Sequence, residues 1–549
     1  MKQPRVSGEL GKVAARAARV ASLALLGAAA LGLGGCASEL RFKDQPVIWR
    51  VDDARHIAEP EENEYLKLQY FADIFAMRRL NRSLELHDHE TAHDINALDE
   101  VPDSTWFENR IGMRDVSAAE VTRGSSDKRP TPPLRVTGAK VGGGNAGFTV
   151  VDAKGSKYLV KFDRKDNPEM QTGSAAAIIR LFWAMGYNVP SDNVFILRRD
   201  DLVIDPKATY KDELEDKHPF TEKELKAVFD TSPRLPDGSW RALSSELLPG
   251  KPVGGVSPEG VRKDDPNDKI PHQHRRPLRG LRVFAAWLGH TDMKQDNTFD
   301  AYVEQDGRKF VRHYLIDFGE ALGGHWGEKR RDEDGYEHYW DWQAQPKGLI
   351  TFGLWRRPWE DRIKTPWPAV GAFAVADFDP EEWREAYPYF PFFETDEADS
   401  YWAAKITMRF ERRHIEAAVA AGQYTDPAAA KYLVETIIGR QRKIGQVYLE
   451  RATSFDELTI RPGALCGVDL GIKHGLATAG TLEVQDDDDH VVQSVALGRD
   501  GRACVRIPDD PSYAVMRLRT VRSNGARPVM QVHLKGGAAA RILGVVRFE

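Results

Sequence analysis

The sequence predicts an α+β protein, and three observations predict it. Alternating segments punctuated by glycine run from residue 134 to about 162, apolar residues recur at helical spacing around 281–288 and 427–448, and short alternating segments return after 456. At roughly 150 residues per domain, the 549 residues suggest about two to four domains. With 41% hydrophobic and 29% charged residues, 13 Trp and 23 Phe, the chain can bury a large core, which excludes disorder throughout. The 77 Lys plus Arg against 83 Asp plus Glu give a net charge of −6, which argues against nucleic-acid binding, since phosphate contacts need a basic face.

The elements are justified in chain order. Lys2, Arg5, Lys12, Arg16 and Arg19 precede an apolar run from Val20 to Leu33, too short for a membrane-spanning helix. Leu33-Gly34-Gly35-Cys36 then resembles the lipobox of bacterial lipoproteins, which implies cleavage before Cys36 and its lipidation. Removing residues 1–35 takes away five basic residues and one acidic one, moving the net charge from −6 to −10. We therefore expect a signal segment at 1–35, a polar tether at 36–60 and a lipid anchor in the bacterial cell envelope, with Ala37 compatible with the outer membrane.

An N-terminal extension at 61–129 reads as partly helical and ends in a turn-rich stretch carrying Trp106 and Phe107; prolines 130, 132 and 133 mark a break. Strands are expected at 134–141, 148–152 and 157–162, the last two joined by a hairpin turn at 153–156, then a helix over 175–185 ended by Gly186 and a strand at 194–197. Residues 205–275 read as charged loop with one strand at 240–248. Leu281, Phe284, Ala285 and Leu288 line one face of a helix running into Gly289, and 396–452 reads as mostly helical, with Asp426-Pro427 as a helix start. We bound this main domain at 130–455. Residues 456–549 form a small all-β, sandwich-like domain that could offer a partner surface, and its Asp486–Asp489 run reads as a solvated turn. Cys466 and Cys504 could form a disulfide in an oxidising envelope; spacing alone leaves this open.

Three patterns carry chemistry. Gly142, Gly144 and Gly147 have G-x-G-x-x-G spacing between two strands, where glycine lets backbone amides approach a phosphate without a Cβ in the way. A tight β-turn is the bland reading of that loop. Lys161 alternates with apolar neighbours on the third strand. His290-Thr291-Asp292-Met293-Lys294-Gln295-Asp296-Asn297 is followed by Asp317-Phe318-Gly319; an Asp with an Asn five residues on, and a second Asp after a later strand, make an oxygen-ligand site for magnesium.

In this order and spacing the chain resembles the protein-kinase-like superfamily over roughly 134–450, and its atypical CotH- and HipA-type branches more than regulatory kinases. The resemblance implies a bilobal protein-kinase-like fold that uses ATP and Mg²⁺. Gly142, Gly144 and Gly147 would cover the phosphates and Lys161 would hold them; Asp292 would position and deprotonate an acceptor hydroxyl, and Lys294 would neutralise the transferred group. Asn297 and Asp317 would hold Mg²⁺. Thr291 stands where many kinases carry an Arg and no A-P-E follows Gly319, so activation-loop control and a peptide platform are unsupported. The 175–185 helix lacks a Glu to pair with Lys161, and Glu169 is the nearest candidate. A protein, glycan or small-molecule hydroxyl is the expected acceptor.

Two alternatives stand beside this reading. One is a kinase-like binding lipoprotein without catalysis. The other is a zinc peptidase built on His89-Glu90-Thr91-Ala92-His93, an H-E-x-x-H match. Its polar flanks make no apolar helix face, so we read it as a solvated segment, and His272-Gln273-His274 as loop.

Overall fold

The computed structural model describes residues 41–549 apart from 64–66, 85–89, 141–145, 213–215, 326–331, 509–512, 537–539 and 549. Cys36 with the signal segment, Gly142, Gly144 and His89 lie outside the described residues. Among those described, no helix is long and apolar enough to cross a membrane.

The structure is mixed α and β, with one large sheet. Its strands are β1 (Leu134–Ala139), β2 (Gly147–Val151), β3 (Lys157–Lys161), β4 (Ser191–Leu197), β5 (Leu202–Lys211), β6 (Lys217–Pro219) and β7 (Trp240–Glu246). They lie in the order β4-β7-β3-β2-β1-β5-β6, antiparallel except for the β1–β5 pair. The turn after β2 closes by Asp152 accepting from Lys154 and Ser156, with Gly155 at φ 85. The region expected as loop with a single strand therefore also holds β5, β6 and a helix at Glu222–Thr231. That helix starts on a capping box between Thr221 and Glu224.

Helix Met170–Met185 begins five residues earlier than its apolar pattern suggests. Asp163, across the preceding loop, accepts from the amides of Gln171 and Thr172 at 3.0 and 2.9 Å and so caps the first turn from a distance. All of the helix but Trp183 is buried. Strand β4 likewise starts at Ser191, three residues before the expected position.

A second, three-stranded sheet holds β8 (Lys251–Pro252), β9 (Thr298–Gln305) and β10 (Arg308–Leu315) in the order β10-β9-β8. Helix Arg276–Leu288 is buried on every side except at Arg282 and packs on the helices Glu397–Met408 and Pro427–Tyr448. Helix Arg412–Ala421 completes this group, whose core includes Phe107, Phe284, Trp287, Trp402, Ile437 and Ile444.

The C-terminal strands make two sheets. One joins β11 (Phe455–Arg461), β12 (Ala464–Asp469) and β15 (Arg502–Arg506). The other joins β13 (Thr481–Gln485), β14 (Val491–Ala496), β16 (Ala514–Arg522), β17 (Gly525–Ala526), β18 (Met530–Lys535) and β19 (Arg541–Val546). Both contribute to one apolar cluster, Leu465 and Val505 from the first and Leu482, Leu518, Met530 and Val532 from the second. Cys466 lies directly opposite Cys504 on β12 and β15 with Cα atoms 4.1 Å apart, and the two are bonded. The Asp486–Asp489 run is the turn between β13 and β14, closed by Asp486 accepting from the amides of Asp488 and His490.

Residues 41–60 correct the expectation of a free tether. Phe42 is buried against His533 with ring centroids 4.9 Å apart, Val51 donates to the Asp103 carbonyl, and Ile57 donates to that of Lys309. The extension is clasped in the same way. Arg276 binds the half-buried Asp99 carboxylate at 2.6 Å and Asp399 at 3.0 Å, and Arg279 lies 3.5 Å from the other Asp399 oxygen; both arginines and Asp399 are buried. Removing the shared carboxylate leaves two buried guanidinium groups without it. Asp399→Asn is thus expected to destabilise the fold by about 3–5 kcal/mol, measured by urea unfolding, whereas exposed Lys226→Gln, which breaks a surface pair, shifts it by less than about 1 kcal/mol.

Candidate functional site

A hairpin brings the pieces of the site together. Strands β9 and β10 pair from Gln305↔Arg308 to Thr298↔Leu315 across a turn at Asp306 and Gly307, both in the left-handed region at φ 52 and 73. Residues just before β9 and just after β10 are therefore neighbours, and Ile316 donates to the Asn297 carbonyl at 2.9 Å. Asp317 follows at φ 60, a conformation that Asp tolerates better than most residues. From the large sheet, Lys161 at the end of β3 reaches Asp317 Oδ1 at 3.0 Å.

Asp292 is buried in the loop that leads into β9. Its carboxylate accepts from Lys294 Nζ and, at 2.8 Å, from Asn297 Nδ2, which also bonds the Asp292 carbonyl. Lys294 lies over the Tyr387 ring at 4.6 Å, and the amide of Gln295 donates to the Tyr70 hydroxyl at 3.2 Å, so the N-terminal extension supports this loop directly. Phe318 is buried between Phe182 and His290, at 4.8 and 5.5 Å between ring centroids. Burial holds His290 neutral by pushing it down to about 4.

Gly147 lies opposite Lys161 on β3 and accepts from the Lys140 amide at the end of β1. A Cβ there would come within 2.3 Å of the Val160 carbonyl oxygen and 3.3 Å of Lys140 Cδ. A side chain at this position would therefore clash with the β3 backbone, so the close approach requires glycine. Burial and the nearby Lys161 ammonium together lower Lys140 to about 8, against the opposing pull of Asp317.

The ion partners of Lys161 differ from the expected one. Glu169 directs its carboxylate to the amide of Thr425 at 3.0 Å, because its φ of 66 turns the chain there just before the helix starts. Lys161 instead pairs with Asp317 and lies in the field of Asp192 on β4, whose own carboxyl is pushed up by burial. Asp192 sits in a Pro-Ser-Asp-Asn stretch that reads as a turn, so the sequence gives no hint of it. Glu320 was also missed, although its place directly after Asp317-Phe318-Gly319 was a usable signal. Burial, Asp292 and Asp317 all push it well above the carboxylate range.

The zinc reading meets a chemical obstacle. Residues 90–93 lie outside any helix, and His89 lies outside the described residues. Glu90 and His93 instead meet His274, with candidate ligand atoms within 4.8 Å of one another. His274 Nδ1 accepts from Arg279 Nη2 at 2.7 Å, and a guanidinium only donates, so the neutral ring carries its proton on Nε2, 3.4 Å from Glu90. That tautomer favours a hydrogen bond over ligation. The loop expected at 272–274 is a 3₁₀ turn. A cavity of about 790 Å³ lined by Arg282, Glu381, Arg384, Asp396, Arg451 and Phe548 contains none of the sequence-predicted site residues.

No family model matches the chain, and no curated protein matches it. Among solved structures, the crystal structure of the Golgi casein kinase with Mn/ADP bound is similar at 10% identity and a TM-score of 0.32, covering 74% of this chain and 94% of that one. A second crystal structure of the Golgi casein kinase gives 11% identity, a TM-score of 0.22 and coverages of 73% and 97%. Likeness at this level defines neither family nor activity.

The Lys161–Asp317 pair sets a pH dependence. The ammonium holds Asp317 down at about 2, below an unfolded Asp near 3.9, so its stabilisation is complete above the unfolded value and lost as pH falls toward 2. The Asp317 side chain is 45% exposed, so water screens the pair and the effect is modest. In a urea-unfolding series, the stability difference between the parent chain and Asp317→Asn should be constant from about pH 7 to 5 and shrink through about pH 4 to 2.

Proposed function

We propose that the chain is a bilobal kinase-like phosphotransferase, with the seven-stranded sheet as one lobe and the helices from Arg276 to Tyr448 as the other. It transfers the γ-phosphoryl group of ATP to a hydroxyl acceptor with Mg²⁺, and is held in the bacterial envelope by lipid on Cys36. The observation that carries the reading is the convergence of Lys161, Asp292, Asn297 and Asp317, from three separate stretches of chain, at one place.

The donor set fits a hard divalent cation. Asp317 offers a carboxylate, and Asn297, whose amide nitrogen is committed to Asp292, offers its carbonyl oxygen. Bound there, Mg²⁺ supplies charge neutralisation on the nucleotide phosphates. The side chains account for the remaining work. Lys161 holds the phosphates, and Lys294 offsets charge on the transferred group. Burial pushes the Asp292 carboxyl up against the pull of Lys294, which suits a group that must take a proton. In the transfer, the bond between the γ-phosphorus and its bridging oxygen to the β-phosphate breaks. A bond from the acceptor oxygen forms, and the hydroxyl proton passes to Asp292.

Thermal unfolding with and without Mg²⁺-ATP tests this without knowledge of the acceptor. A ligand at about a hundred times its dissociation constant stabilises by about 2.7 kcal/mol, so the parent chain should show a clear rise in Tm that requires Mg²⁺. Asp317→Asn should lose the Mg²⁺-dependent part, and Lys161→Met should weaken the rise. A folded chain that shows no shift with saturating Mg²⁺-ATP overturns the reading.

A further inference from the structure

The most exposed apolar side chains of the described chain are concentrated in one short tip. Leu349, Ile350, Phe352 and Leu354 are 78%, 75%, 93% and 89% exposed, at and just beyond the helix Ala344–Ile350. Scattered exposed hydrophobics need no explanation; four within six residues, at the end of a protruding segment, do.

The surroundings of the tip indicate what covers it. Below it stand half-buried tryptophans: Trp355, with Lys347 over its ring at 4.2 Å, and Trp359, whose indole donates to Glu337 at 2.9 Å. Between residues 345 and 367 there are five basic side chains and two acidic ones, in a chain whose overall charge is negative. Arg357 is paired with Glu337, and Arg356 with Asp361, while Lys364 lies 3.5 Å from Asp332. Lys347, Arg356 and Lys364 nevertheless remain exposed around the tip. Apolar residues at the apex, tryptophans at the next level and exposed cations around them match the layers of a bilayer surface: acyl chains, interface and anionic headgroups.

We infer that the segment 345–367 is a membrane-contact loop that inserts its Leu349–Leu354 tip into an anionic lipid surface. The contact is additional to any N-terminal lipid and independent of the phosphotransfer reading.

The test places an environment-sensitive fluorophore on the tip of the full chain through Phe352→Cys. Every labelled chain also carries Cys36→Ser, so that with Cys466 and Cys504 bonded to each other the introduced cysteine is the one free thiol, and the same chemistry on the Cys36→Ser chain alone gives the background. A second label at exposed Lys226→Cys is the control. With vesicles of phosphatidylglycerol and phosphatidylethanolamine, emission at 352 should shift to the blue and be quenched by spin-labelled acyl chains, while the signal at 226 stays unchanged. Adding Leu349→Asp and Leu354→Asp should abolish the shift, with near-ultraviolet circular dichroism unchanged. No shift with anionic vesicles overturns the inference. An equal shift with phosphatidylcholine overturns its anionic part, and a shift that rises with protein concentration in the absence of lipid identifies a second copy of the chain as the occupant and overturns it.

Discussion

The candidate site depends on the register of one hairpin. Because β9 and β10 pair without a slip from the Asp306-Gly307 turn to Thr298 and Leu315, the loop carrying Asp292 and Asn297 ends beside the residue that leads into Asp317. A slip of one residue would move Asp317 by about 3.3 Å along the strand and reverse the facing of every side chain, which would break its contact with Lys161. The register is held from outside as well. Trp106 stacks on His313 at 3.5 Å, His313 is hydrogen-bonded to Asp300 at 2.6 Å, and Asn188 bridges the carbonyls of Thr105 and His313. The N-terminal extension is thus a buttress of the hairpin through Trp106, while the adjoining Phe107 is buried against Tyr187 and Trp402.

What the sequence made legible was whatever depends on neighbours in the chain. The glycine-punctuated strands, the helix ending at Gly289 and the His290–Asn297 stretch are local patterns, and the structure has elements at or within a few residues of each. What depends on distant partners was illegible. The helix Met170–Met185 starts early because Asp163 caps it from outside, and in a stretch whose composition reads as loop β5 is held by pairing to β1 and β6 by pairing to β5. Asp192 enters the cleft only because β4 lies at the sheet edge beside β7, and β7 beside β3. Residues 41–60 read as a tether because their polarity conceals Phe42 and Ile57, two anchors spaced too far apart to form a pattern. Glu169 failed for a related reason: proximity in sequence to Lys161 says nothing of where a left-handed residue sends its side chain.

The cleft sorts its carboxylates by environment. Asp317 is pulled down to about 2, the nearby Lys161 ammonium being the largest cause, whereas Asp192, Asp292 and Glu320 are all pushed up by burial. One group ionised at neutral pH beside others with raised proton affinity is what the proposed reading requires, a carboxylate for the cation and another for the proton. The crowding also has a direction. Asp292, Asp317 and Glu320 repel one another, and three lysines, 140, 161 and 294, partly offset them. Positive charge brought in with a ligand would relieve that repulsion, so the same arrangement that strains the carboxyl groups favours a cation-bearing ligand.

The apolar tip is held at its root by directional bonds. Arg362, at the root of the loop, donates to the carbonyls of Asp332, Asp334 and Ala372 at 2.8, 2.7 and 2.6 Å, and Glu337 receives both Arg357 and Trp359. A guanidinium fork on three carbonyls fixes the direction of a loop better than apolar contact alone, because each bond is directional. The four exposed hydrophobics are therefore held outward, when burying each against the body would gain about 1.5–3 kcal/mol. A loop prevented from collapsing onto its own protein presents its apolar apex to whatever surface it meets, because the cost of exposure is relieved only by an external partner.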